Sequence, residues 1–355
     1  MKDNNDYHHG GELNRRDIID LSVNINNFCK VPKLSDEEIM RATAFYPDRE
    51  SKELTKCISK RSGVCAGNII VGNGASEIIT LSAFCLGISA ALIVEPTFSG
   101  YERALNAAGV NISYCYLFEK DDFIFGNSQI EAIEKFLREY GHDSGCAVYI
   151  CNPNNPTGAC IAKSVLKRVL DICREAKAKL VIDESFVDFT SDIKKVSMAS
   201  FVEDYPNLFI IRSFTKIYSI PGIRLGYGMC SDKDIVGKIR LMQPEWSVSG
   251  VAQVVGKKLL SNDAYLQDTI SFIQREKTYL TDGLSDMGIK VYPSDTNYIL
   301  TRIKTKSDFH KLLLDNGLYL RNCDNFLGLS GEYFRIAIGS HSDNEKLLEI
   351  FEKLL

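Results

Sequence analysis

Short apolar runs alternate with longer amphipathic stretches through the first two thirds of this 355-residue chain. The runs fall at 69–71, 91–94, 112–117, 147–151, 180–183 and 209–212, with a further one at 225–229. A strand with one wet face alternates polar and apolar residues. Several of these runs are apolar throughout, as strands covered on both faces must be. Helical patterns lie between them at 76–84, 130–140 and 162–176. This alternation predicts an α/β fold with a large domain built on a mostly parallel, seven-stranded sheet.

The last third reads differently. A long amphipathic segment covers 252–287, followed by extended runs at 290–292, 298–301, 319–321 and 333–337. Helical patterns fall at 307–316 and 343–355. A smaller C-terminal α/β domain with an antiparallel sheet is expected. The expected division is an N-terminal arm with part of the small domain (1–45), a large domain (46–250), a linking helix (251–284) and a small domain (285–355).

Lys and Arg number 42 and Asp and Glu 46, a net charge of −4. That balance argues against a broad nucleic-acid or anionic-membrane footprint. The eleven cysteines are scattered without a CxxC pair, so no zinc site is expected and a reducing cytoplasm is the simplest setting. The uncharged run 78–94 touches the lower edge of a membrane span, but Thr80, Ser82, Gly87 and Ser89 interrupt it. It reads as a buried helix, a turn at Gly87 and a buried strand.

In an open α/β sheet, ligands bind beyond the carboxyl ends of the strands. Four such ends carry chemistry. Gly72-Asn73-Gly74-Ala75-Ser76-Glu77 opens a helix, whose free N–H groups attract a phosphate. It also half-matches a dinucleotide fingerprint, with Glu77 in place of the third glycine. Asn152-Pro153-Asn154-Asn155-Pro156-Thr157-Gly158 is a loop stiffened by turn residues, suited to holding an Asn against a ligand. Asp183-Glu184 ends an apolar strand, where a carboxylate is costly to bury unless paired, as with a cationic ring nitrogen. Ser213-Phe214-Thr215-Lys216 followed by Arg224 offers two hydroxyls and a guanidinium for a phosphate, and beside them an amine suited to Schiff-base chemistry. A plain turn, an exposed strand end and a solvated lysine remain the ordinary readings of each motif taken alone.

Taken in order, Asn155, Asp183, Lys216 and Arg224 resemble the fold-type I pyridoxal-phosphate enzymes of the aspartate-aminotransferase superfamily. The resemblance covers essentially the whole chain and implies roles. Lys216 would take the cofactor covalently and later move the proton, and Asp183 would pair with the pyridinium nitrogen. Asn155 would donate to the ring O3′ and border the substrate. Gly74, Ala75, Ser76, Ser213 and Arg224 would hold the phosphate, and Phe98 would stack on the ring. Tyr46 would reach the phosphate of a neighbouring subunit, implying a homodimer with shared active sites. Arg335 would bind the substrate carboxylate. Phe186 stands where many relatives have Tyr.

Two branches of that superfamily compete, and both act on phosphorylated amino substrates: threonine-phosphate decarboxylases of cobalamin synthesis and histidinol-phosphate aminotransferases. The opening His9-Gly10-Gly11, the stretch Asp20-Leu21-Ser22-Val23-Asn24-Ile25-Asn26, and Leu320-Arg321-Asn322-Cys323 running on to Arg335 are similar to the decarboxylases. The phosphate would be anchored by His9, Gly10, Asn26 and Arg321. Asn27-Phe28-Cys29-Lys30 and Ser249 depart from that branch, leaving room for an analogue such as serine phosphate. A ligand sensor on this fold and a nicotinamide dehydrogenase are the alternatives from other classes. The first lacks a basic DNA-binding module, and the second a complete fingerprint.

Overall fold

The computed structural model describes residues 11, 17–28, 33–141, 145–261, 264–304 and 308–355. A two-residue strand, β1 (Ile19–Asp20), precedes the main sheet. That sheet holds β2 (Ile69–Asn73), β3 (Ala90–Glu95), β4 (Asn111–Tyr116), β5 (Cys146–Cys151), β6 (Lys179–Asp183), β7 (Leu208–Ser213) and β8 (Leu225–Met229). Its spatial order is β2-β8-β7-β6-β5-β3-β4. The expected seven strands are therefore all present, and pairing from β4 through β7 is parallel. Only β8 runs the other way, antiparallel to both β2 and β7.

The apolar runs are apolar because both faces are covered. Leu92, Val148, Leu180 and Leu208 belong to one hydrophobic cluster. Their chain neighbours Ala91, Ala147, Val181 and Phe209 belong to the other, as the two-residue side-chain period of a strand demands. The uncharged run divides as expected. Its start lies in the helix Gly74–Cys85, Gly87 turns with φ +64°, and its end is β3. No described helix is long and apolar enough to cross a membrane.

The C-terminal third forms a four-stranded antiparallel sheet in the order β12-β13-β10-β9. Its strands are β9 (Lys290–Val291), β10 (Tyr298–Arg302), β12 (Arg321–Asn322) and β13 (Tyr333–Ala337), while β11 (Leu318–Tyr319) instead pairs in parallel with β1. The segment 19–21 is thus bound to the C-terminal third. The amide of Leu21 donates to the Tyr319 carbonyl and the amide of Ala337 to the Leu21 carbonyl, both at 2.9 Å. The segment read as one linking helix is two helices, Gly250–Leu260 and Ala264–Asp286. Amphipathic periodicity persists past the end of the first helix, which closes at Ser261, a residue whose side chain competes for backbone hydrogen bonds.

Candidate active site

A cavity of about 260 Å³ opens at the carboxyl ends of β3, β5, β6 and β7. Arg224 joins it because β8 runs antiparallel: the residue before β8 lies level with the ends of its neighbours. From the other side, Asn24, Arg321 and Arg335 close over it.

At one end the cavity is built for an anion. The helix Gly74–Cys85 begins directly at the end of β2, so its first N–H groups have no helical carbonyl to bond. Gly74 has φ +78°, and a Cβ there would sit 2.7 Å from Arg224 Nη2. Close approach of a guanidinium to the helix start therefore requires glycine. Arg224 itself is left-handed, at φ +58°, and Nη1 is tied to the Pro221 carbonyl at 3.0 Å. Ser213 Oγ and Thr215 Oγ1 lie 2.7 Å apart on the same wall.

The floor carries a buried carboxylate. Asp183 Oδ1 accepts the Ser185 N–H at 2.8 Å, and Oδ2 accepts the Tyr101 hydroxyl at 2.7 Å. Burial pushes this carboxyl up, while Ser185, Tyr101 and Lys216 pull it back. Its neighbour Glu184 serves another purpose. It bonds Arg212 at 2.7 Å and accepts the Met198 N–H and Ser197 hydroxyl, away from the cavity lining.

Lys216 lies at the centre. Its Nζ donates to Asn24 Oδ1 at 3.1 Å and sits 5.9 Å from the Phe186 ring centroid. Burial, then the charges of Arg335 and Arg224, bring its pKa down to about 8, against a smaller upward pull from Asp183. An amine near neutrality can both give and take a proton.

The wall opposite holds two guanidiniums. Arg321 on β12 and Arg335 on β13 are direct cross-strand partners, 8% and 5% exposed. Like charges directly opposed destabilise a sheet. Arg335 Nη1 donates to Asn155 Oδ1 at 2.6 Å and Nη2 to the Ser22 carbonyl at 2.7 Å. Arg335 Nε is buried without a partner. Arg321 bonds Asn325 Oδ1 at 2.6 Å and stacks over Phe326. Burial lowers Arg335 to about 10, and Arg321 adds to that.

Ala75, Ser76, Phe98, Asn155, Asp183, Ser213, Lys216, Arg224, Arg321 and Arg335 all line the one cavity. Asn26 does not. Its amide donates to the Ile217 carbonyl at 2.8 Å and to Thr269, and its N–H to the Lys216 carbonyl, so it braces the Lys216 segment. Asn24, two residues earlier, lines the cavity in its place, and its Nδ2 is buried without a partner. Tyr46 is 81% exposed and packs on Trp246, with centroids 4.7 Å apart. His9 and Gly10 lie outside the described residues. Reasoning from sequence missed Asn24, Tyr101, Asn325 and Phe326. Asn24 and Asn26 are the same residue type two positions apart in a segment without regular structure, so only the tertiary contact separates them.

The donor set fits pyridoxal phosphate: an anion cradle that a Cβ at Gly74 would fill, a buried carboxylate on the floor, and an amine between them. Two buried donors, Asn24 Nδ2 and Arg335 Nε, are left to be met. No described group of residues could hold a metal ion.

Comparison with known proteins agrees. The model of the family described as aminotransferase class I and II matches residues 16–354. The threonine-phosphate decarboxylase of Salmonella typhimurium is 32% identical over 342 residues, 95% of this chain and 91% of that protein. A histidinol-phosphate aminotransferase of Methanococcus aeolicus is 28% identical over 352 residues, 97% of this chain and 91% of that protein. The crystal structure of the histidinol-phosphate aminotransferase from Clostridium acetobutylicum matches with a TM-score of 0.85 at 31% identity, covering 94% of this chain and 98% of that one.

Proposed function

The chain belongs to the aminotransferase class I and II family, and from that premise we propose that it decarboxylates L-threonine O-3-phosphate to (R)-1-aminopropan-2-yl phosphate. Its cofactor is pyridoxal phosphate. One observation carries the substrate class: Arg321 and Arg335 face each other in register on adjacent strands above Lys216. Such a pair is relieved by a ligand that brings two anionic groups. The likeness to the Salmonella decarboxylase along nearly the whole chain supports the choice of branch.

In this reading, the helix start at Gly74–Ser76, Ser213, Thr215 and Arg224 hold the cofactor phosphate. Asp183 faces the ring nitrogen, Phe98 covers the ring and Asn155 meets O3′. Phe186 adds no hydroxyl there. When bound, the cofactor supplies an electron sink for the pair left at Cα when a bond there breaks. Arg335 receives the carboxylate; Arg321, with the free amide N–H of Asn24, receives the substrate phosphate. His9 and Gly10 are proposed to complete that end. Asn24 Oδ1 aims Lys216 Nζ, and Lys216 delivers a proton to Cα once CO₂ has left. Closing the two arginines over the cavity keeps water from the reacting carbon.

The protein is proposed to act as a homodimer in a reducing cytoplasm. Phe45, Tyr46, Leu241 and Met242 are large apolar residues left more than half exposed, which supports a contact between copies of the chain. The ten described cysteines are all free. A second reading, histidinol-phosphate transamination, is favoured by the Clostridium structure.

Incubation with threonine phosphate, serine phosphate and histidinol phosphate, each with 2-oxoglutarate, separates these. CO₂ from threonine phosphate without glutamate is the expected result. Glutamate from histidinol phosphate without CO₂ overturns it.

A further inference from the structure

The two oxygens of Asp183 are held by different means. Oδ1 accepts the backbone N–H of Ser185, a bond that any residue other than proline could supply. Oδ2 accepts the Tyr101 hydroxyl at 2.7 Å, and that bond depends on the side chain. Tyr101 is 1% exposed and stands in the first turn of the helix Gly100–Ala107. It follows Phe98 by three residues, and the two rings meet edge to face at 5.7 Å. One short segment would thus supply apolar cover for the cofactor ring through Phe98 and a polar donor to its Asp183 partner through Tyr101.

The ionisable groups acting on Asp183 are Lys216, Tyr101 and the thiol of Cys151, its partner across β5 and β6. Burial, then the charge of Asp183, holds the Tyr101 proton well above the usual phenol range. Burial likewise pushes Cys151 up to about 12. Tyr101 therefore keeps its proton and donates to Asp183 Oδ2. A buried carboxylate bonded to a permanent donor is favoured in its charged form. Two donors on two oxygens also fix the plane of the carboxylate.

We propose that Tyr101 is a positioning residue for the cofactor, keeping the Asp183 carboxylate ionised and aimed at the protonated ring nitrogen. The proposal rests on Asp183 meeting that nitrogen and is independent of whether decarboxylation or transamination follows. It predicts that the value of the Tyr101 hydroxyl is expressed only through the nitrogen.

The test compares two cofactors on the full-length protein stripped of cofactor. One is pyridoxal phosphate; the other is 1-deazapyridoxal phosphate, in which carbon replaces the ring nitrogen. Tyr101→Phe is expected to weaken pyridoxal phosphate binding about tenfold to a hundredfold, the worth of one hydrogen bond to a charged group. Binding of the deaza compound should stay within about twofold. In an Asp183→Asn background, Tyr101→Phe should add nothing. Tyr101→Gln, which keeps a donor without the ring, should retain part of the preference for the nitrogen cofactor. Because the ratio of two affinities is taken on one preparation, any fraction that fails to fold cancels. Equal weakening of both cofactors by Tyr101→Phe assigns it to packing and overturns the proposal, as does no weakening of either. If Asp183→Asn itself affects the two cofactors alike, the reading of Asp183 fails instead.

Discussion

Lys216→Met should stabilise the cofactor-free protein at pH 7. Lys216 is half-buried in the cavity wall with Arg335 and Arg224, and burial followed by their charges brings its pKa from 10.5 to about 8. A displacement of that size corresponds to about 3 kcal/mol spent on keeping the charged amine in the fold. Methionine removes that cost, but leaves Asn24 Oδ1 without its 3.1 Å bond, a loss of about 1 kcal/mol. The net gain is about 2 kcal/mol, or about 3 °C in melting temperature for a chain this long.

The pH dependence has a definite sign. Below pH 8 the lysine is charged whether the chain is folded or not, and the full penalty applies. Between pH 8 and 10.5 the folded state has released its proton while the unfolded state still holds one. The wild type therefore gains stability with rising pH, and the variant's lead closes. Groups beyond the reach of Lys216 titrate alike in both proteins, so the difference reports Lys216 together with the groups its charge acts on, Asp183 among them. Urea unfolding of both stripped proteins at pH 7 and pH 10 measures it. A variant no more stable than the wild type at pH 7, or a gap that does not change with pH, refutes the reasoning.

Glu184→Ala leaves Arg212 buried without its 2.7 Å partner, and a loss of about 3–5 kcal/mol in urea unfolding is expected; an unchanged midpoint contradicts the buried pair. Gly74→Ala places a Cβ 2.7 Å from Arg224 Nη2 at φ +78°, which should weaken cofactor binding by about tenfold or more in a fluorescence titration, from a backbone cost of about 1–2 kcal/mol together with the displaced guanidinium. Asn24→Ala should raise KM for the phosphorylated substrate with little change in melting, whereas Asn26→Ala should lower melting first, by about 1 kcal/mol for each buried hydrogen bond lost. The reverse pattern would return the substrate contact to Asn26.

Most of the cofactor end was legible in the chain because it is written locally. Asp183 closes an apolar run, Ser213 and Lys216 follow the next, and Gly74 opens a helix directly after β2. Strand ends are readable from periodicity, and α/β topology brings those ends together. The substrate end was legible only as a list of residues. Asn24 and Asn26 carry the same side chain in the same short segment. One reaches Lys216 Nζ and the other is spent on Ile217 and Thr269. No local pattern distinguishes them, because the partner that decides lies 192 residues away for Asn24 and 191 for Asn26.

Periodicity and the residues at strand ends, then, determined the seven strands, their burial on both faces and most of the groups that line one end of the cavity. Those are properties of a dozen neighbouring residues at a time. The reversed direction of β8, which brings Arg224 to the strand ends that line the cavity, was decided by pairing between distant strands. So was the register that sets Arg321 against Arg335, and so was the fall of Tyr101 onto Asp183. Each depends on long-range closure, where hydrogen-bond register and the close packing of a shared core select one arrangement among several that the local pattern permits equally.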